Sequence, residues 1–302
     1  MAVNIIRNTT ASAPVLSGQL GALIAVFDFA LVTTSGWTKV FSGTNLAVYR
    51  APAGNRMYFR VDDNNTSWAT IRMYESMTDV NTGVNPTPSI AQWPNGLTII
   101  KSATADTVAR AYTIVERNGT VFYTCQSDVT AAVGVANNYP CHTWFGDFVS
   151  YKAGDAYNSF ISSSSATNNT SAAPEGVINS LYNATSTGTY IARASTQIGT
   201  SLWGCRMLNS TFASGASSIG SQGPAYPNVI TGGMNIGRIY LGEGLLATGV
   251  RGYIPGLWYP HHGRPLTHGD TFSGGGLYAG KSFEASNCSG TGQLFYETSD
   301  TW

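Results

Sequence analysis

Charge is what this chain has least of. Of its 302 residues, 16 are Lys or Arg and 16 are Asp or Glu, 11% together and balanced to zero, against roughly a quarter in ordinary soluble domains. So sparse a surface carries no basic footprint for nucleic acid or anionic lipid, and no nucleic-acid partner is expected. It also repels copies of itself weakly, which suits a protein packed beside many neighbours. Long apolar runs are missing too. The longest, LGALIAVFDFALV from Leu20 to Val32, carries Asp28 and is shorter than the roughly 20 residues that span a bilayer, so no membrane association is expected. Residues 1–13 lack the basic and apolar regions of a secretory leader.

Cysteine is scarce as well. Cys125, Cys141, Cys205 and Cys288 are far apart and form no CxxC pair, which weakens zinc-ribbon and thioredoxin-type readings. Cytosolic synthesis implies free thiols, and a Cys125–Cys141 bridge stays geometrically open. Asn-X-Ser/Thr sequons, including Asn8, Asn65, Asn118 and Asn209, follow from a composition rich in Asn, Ser and Thr.

What is present favours turns and strands: 34 Gly, 16 Tyr, and a polar surface built from Ser, Thr and Asn. Residues 1–13 read as an extended arm. Leu20, Leu23, Ile24, Phe27 and Leu31 then fall at helical spacing behind Ser17, a candidate cap, which predicts one amphipathic helix over 17–32. Two uses of that helix stay open, packing on its own domain or docking on a neighbour. The expectation is that residues 1–32 serve assembly and that the rest folds without them.

From Trp37 the period shortens. WTKVFS, LAVYRA, RMYFRVDD and WATIRMYES are aromatic and β-branched runs separated by GTN, PAGN and DNNTS turn sets. In ARAYTIVERNGTVFYTC (109–125) two strands flank Asn118-Gly119, the preferred pair for a type I′ hairpin. Residues 162–175 are a low-complexity polar stretch, and strands resume beyond it. The predicted fold is all-β: one or two β-sandwich or barrel-like domains with a short N-terminal arm and one amphipathic helix. The expected division is arm and helix over 1–35, a first β domain over 36–161 and a second over 176–302, the two β units being open to forming one continuous domain.

Three of the four histidines lie in PGLWYPHHGRPLTHGD (255–270), which also ends in Asp270. His261 and His262 are adjacent, so on a strand they face opposite ways, and Pro260 and Pro265 exclude a helix. His262, His268 and Asp270 could meet across a loop, but a satisfied polar loop is the simpler reading, and no metal is assigned. No GxSxG elbow accompanies the many serines, so no catalytic triad is assigned. Asp62, Asp63, Glu75 and Asp79 raise the paired carboxylates of a glycosidase. The simpler reading of DDNNT is a turn whose side chains bond their own backbone. Trp37, Tyr58 and Trp68 suggest a passive sugar-binding face, and buried alternation explains them more cheaply. A P-loop ending at Gly280-Lys281-Ser282 is rejected because FEASNCSG cannot supply the apolar helix that must follow.

Several stretches together resemble a class of tailed-bacteriophage structural proteins: GWTKVFSGTNLAVYRAPAGNRMYFRVDD, IRMYESMTDVNTG, FGDFVSYKAGDAYNSFI, YIPGLWYPHHGRPLTHGDTF and GQLFYETSDTW. The likeness runs from about Leu20 to Trp302. It implies a virion role in head or tail and brings no catalytic residues with it. It further implies that one histidine of the 261–262 pair belongs to a Pro-Gly-Leu-Trp frame, in which Pro255 and Gly256 turn the chain and Trp258 anchors it. The expectation is a non-enzymatic structural component of a phage particle, made in the host cytoplasm and located in the virion. Its partners are copies of itself and other virion proteins. No catalytic, cofactor-binding or metal-binding residues are assigned, and no cofactor. The alternatives are a receptor- or glycan-binding virion surface protein facing a host surface glycan and, more weakly, a virion-bound glycan hydrolase.

Overall fold

The structure is a computed structural model that describes residues 2–126, 141–163, 188–200, 206–208, 226–243, 249–261, 266–287 and 293–302. Most of the low-complexity stretch, His262, Pro265, Cys205, Cys288 and Asn209 lie outside them. The fold is all-β, with one short helix and several antiparallel sheets.

Three sheets carry the architecture. The first is a meander of Thr38–Gly43, Leu46–Arg50, Tyr58–Asp62, Trp68–Tyr74 and Leu97–Ile100. The central sheet runs Asn4–Arg7, Tyr112–Arg117, Thr120–Cys125, Cys141–Asp147, Ser159–Ser163, Thr189–Ile191. The third orders Arg206–Leu208, Ile236–Glu243, Gly249–Pro260, Gln293–Glu297, Ser282–Asn287 and Thr271–Ser273, with Val149–Ser150 pairing on Gly249–Pro260.

Alternation along the central strands explains the stacking. Val121, Tyr123 and Cys125 enter the core shared with the helix and the first sheet, where Phe59, Val61 and Ile71 meet them. Phe122 and Trp144 enter a second core against Leu241, Leu257 and Tyr296 of the third sheet. Because both faces are covered, Thr120–Cys125 is buried at every position. Such a strand reads as an apolar run rather than an alternating one.

The hairpin forms as its sequence predicts. Asn118 and Gly119 have φ of 52° and 85°, the pair of positive values a type I′ turn needs. Cys125 and Cys141 are directly opposite on neighbouring strands, buried and not joined in a disulfide; the Cys125 thiol donates to the Ile100 carbonyl at 3.0 Å.

The N-terminal expectation needs correction. Asn4–Arg7 is an edge strand of the central sheet, paired with Tyr112–Arg117. The helix is short, Ala22–Phe27, continued by wider π-type turns over Asp28–Thr34. Leu23, Val26 and Phe27 are fully buried. The Phe27 ring meets those of Tyr49, Tyr123 and Phe145 at 5.7–6.2 Å. Removing residues 1–32 would therefore strip a sheet edge and open the core. Ser17 is not the cap. The cap position is Gly21, and Asp63 supplies the acceptor from far along the chain, taking the N–H groups of Leu23 and Ile24 at 2.8 and 3.3 Å. Asp28, the charge inside the apolar run, accepts from the Tyr49 hydroxyl at 2.9 Å and from Lys39 Nζ at 2.8 Å.

Residues 255–260, expected in a loop, belong to the strand Gly249–Pro260. The strand is irregular there: Arg238 faces Trp258 while Tyr240 faces Tyr253. Such an irregularity is where a strand tolerates proline. Gly256 has φ of 72°, and a Cβ on it would lie 2.4 Å from the Trp302 ring, so the C-terminal indole packs flat on bare backbone. Trp258 is an anchor, donating to Glu297 at 3.0 Å between the rings of Tyr278 and Phe283.

Candidate functional site

Of the histidines in the segment 255–270, His261 and His268 are among the described residues. His261 bonds through its backbone to Asn235, and its ring meets the Tyr259 ring edge-on at 4.9 Å. Asp270 closes a local turn by accepting the Thr267 N–H at 2.8 Å. Among the described residues, no three of His, Cys, Asp and Glu gather as metal ligands. His142, outside the histidine-rich segment, is fully buried between the central and third sheets, bonded to Ser286 at 3.0 Å and stacked on Trp144. Lys281 pairs with Glu297 and is followed by a strand, as rejection of the P-loop requires.

The four flagged carboxylates have four separate duties. Asp79 accepts the Asn81 and Thr82 N–H groups at 2.7 and 2.9 Å, which closes a turn. Glu75 takes both arms of Arg193 at 2.5 and 2.6 Å. Burial pushes its pKa up, but the bonds from Arg193 and Asn85 outweigh burial and hold it below the usual range. Asp62 accepts from the Asn64 backbone and side chain and from Arg60. Asp63 is fully buried and paired with the equally buried Lys101, whose Nζ also donates to the Gln19 carbonyl at 2.5 Å. Burial drives the Asp63 pKa up and the Lys101 pKa down, each against the pull of its partner. The turn reading of DDNNT thus holds for Asp62 and not for Asp63.

One of the three aromatics suggested for a sugar-binding face reaches a cleft. Trp37 is 2% exposed in the core, donating to Glu116 at 3.1 Å. Tyr58 lies under the Arg50 guanidinium, 4.4 Å from ring centroid to Cζ. Trp68 lines a cleft of about 480 Å³ on the outer face of the first sheet. The strand Trp68–Tyr74 sends Ala69, Ile71 and Met73 into the core, and Thr70, Arg72 and Tyr74 line the cleft beside Trp68. Arg60 stands opposite Arg72 on the neighbouring strand.

The rim is made of turns. Asn65 accepts the Ser67 N–H at 2.9 Å, shaping the turn that carries Asn64 and Asn65. Across the cleft, Gly96 donates its N–H to the Trp93 carbonyl at 3.1 Å, closing a turn that puts Asn95 on the lining. Gly96 has φ of 94°, and a Cβ there would lie 2.8 Å from the Ile71 carbonyl oxygen, so only glycine fits. Arg72 Nη2 donates to that same Trp93 carbonyl and ties the turn to the sheet.

No family model matches this chain, and no curated protein matches it.

The cleft presents acceptors and amides on its rim, an indole face, and a guanidinium on its floor. Arg60 is committed, donating to the Val80 carbonyl at 2.8 Å and to Asp62 and Asn81. Arg72 is not. It is 8% exposed, and its Nε is buried without a hydrogen-bond partner. Sequence reasoning found Trp68 through its aromatic character. It missed Arg72, although the alternation of WATIRMY places both on one face.

Proposed function

We propose that the chain is a non-enzymatic structural component of a bacteriophage particle, assembling through contacts with copies of itself and with other virion proteins. One observation carries the reading beyond the sequence resemblance. Large apolar side chains stand fully in solvent on tight turns: Leu277 is 96% exposed, Val229 92% and Ile230 89%. Met234, which follows the second of these turns, and Tyr278, next to Leu277, both pack against the outer cluster of the third sheet. Apolar groups on such tips lose nothing by being covered and gain roughly 25 cal/mol for each Å² removed from water, while the scarcity of charge keeps the cost of desolvation low.

The test is quantitation of the protein in purified particles, with Leu277→Asp and Ile230→Asp alongside the parent chain. The reading requires many copies per particle that survive high salt. It also requires that the two variants fold, by circular dichroism, yet fall out of assembly. Absence from particles, or undiminished incorporation of both variants, would overturn it.

A further inference from the structure

We propose that the cleft on the outer face of the first sheet binds a short oligosaccharide bearing a carboxylate, with Trp68 as the stacking platform and Arg72 as the anion contact. The proposal does not depend on where the chain resides.

Size comes first. About 480 Å³ falls within the roughly 300–1,000 Å³ of small-molecule sites and exceeds what a single ion needs. The lining then selects the chemistry. A half-buried indole at the mouth offers a π-face to the C–H side of a sugar ring, and the Trp68 side chain makes no hydrogen bond within the protein. Asn95 on the opposite rim is also without a side-chain partner, so its amide keeps both donor and acceptor for hydroxyl groups. Asp62 and Asn81 add acceptors already oriented by Arg60. Fixed amides and carboxylates beside an aromatic face suit a hydroxyl-rich ligand better than an apolar one.

Arg72 decides the charge. It is more than nine-tenths buried and lines the cleft, with one terminal nitrogen held by the Trp93 carbonyl and Nε unpartnered. Buried polar groups in native proteins nearly always find partners, so an exception calls for a group that completes it. Guanidinium donors are best completed by a carboxylate. Asp62, the one carboxylate on the lining, is turned to Arg60 and Asn64 instead. The cleft therefore holds two cations against one anion, a net positive site on a chain whose total is zero.

The experiment is isothermal titration of the full chain with a galacturonate tetramer, a neutral glucose tetramer, inorganic phosphate and a short oligonucleotide. The acidic tetramer should bind at least ten-fold more tightly than the neutral one and quench tryptophan fluorescence, with affinity falling as salt is raised. Trp68→Ala should weaken it at least ten-fold. Asn95→Ala, on an exposed turn, should weaken it several-fold with an unchanged melting temperature, so the result is readable even if a variant in the strand folds poorly. Arg72→Gln should erase the preference for the acidic sugar more than the residual binding. The proposal is overturned if neither tetramer binds at millimolar concentration, if phosphate or the oligonucleotide binds as tightly as the acidic tetramer, or if Asn95→Ala and a folded Trp68→Ala both bind it as the parent does.

Discussion

Replacing Lys101 with Met should destabilise the protein by about 3–4 kcal/mol at pH 7, and the loss should shrink as the solution is acidified. Lys101 and Asp63 are both fully buried. Two unit charges about 3 Å apart attract by ~5 kcal/mol at an effective dielectric constant near 20. Orphaning one member of a buried pair typically costs ~3–5 kcal/mol. The carboxyl has an escape, however: it can take up a proton. From an ordinary carboxyl value of 3.8, protonation at pH 7 costs ~4 kcal/mol at 1.36 kcal/mol per unit, which caps the loss. The sign follows. Burial raises the folded pKa of Asp63 above its unfolded value, so the folded variant holds a proton the unfolded chain has released. Stability is then highest below the unfolded pKa and falls as pH rises, by up to ~1.4 kcal/mol per unit. The double variant Lys101→Met, Asp63→Asn should recover most of the loss. Its amide oxygen still accepts from Leu23 and Ile24, and its NH₂ faces the Gln19 carbonyl that Lys101 leaves. Urea unfolding followed by tryptophan fluorescence at pH 5, 6 and 7 measures all of this. A single variant within ~1 kcal/mol of the parent at pH 7, a loss independent of pH, or a double variant no better than the single refutes the reasoning.

Gly119→Val should cost ~1 kcal/mol or more in the same assay, because φ is 85° and a Cβ would lie 3.1 Å from that of Ala51. Acid should destabilise the parent through Glu75, whose lowered pKa makes its contribution present above the ordinary value of 4.5 and lost as pH falls through the folded value. Arg193→Gln should flatten that part of the melting-temperature profile. Chelator should leave the melting temperature unchanged, as should His261→Ala, whereas Trp258→Ala should cost ~3–5 kcal/mol. A stoichiometric metal lost with His261→Ala would refute that assignment.

Local chemistry was legible where the deciding contacts are local. Asn118-Gly119 announces its turn because both positive φ values belong to the pair itself. A strand of the first sheet announces itself where one face is less buried, as YFRVD alternates. The central strands do not: TVFYTC is buried throughout, and periodicity cannot report that a second sheet covers the other face. The helix was placed too long and capped by the wrong residue because its acceptor, Asp63, is 40 positions from Leu23. Asp63 in turn looked like a turn residue because its partner Lys101 is 38 positions further on. Local pattern holds no record of such pairings.

The same stacking explains where a site can be. Both faces of the central sheet are spent on packing, so a polar group there looks inward for a partner, as His142 Nε2 does to Ser286. The first sheet is covered on one side by the central sheet and the helix. Its other face escapes that demand: Val48, Tyr74 and Met77 close one part, and the part beyond them is the cleft. A charged side chain such as Arg72 placed on an inner face would need a buried counter-charge, as Lys101 has. Placed on this face, it sits at the edge of packing, with one donor tied to the Trp93 turn and Nε without a protein partner. A carboxylate ligand, as proposed for the cleft, would complete that donor, which sets Arg72 apart from one more structural ion pair.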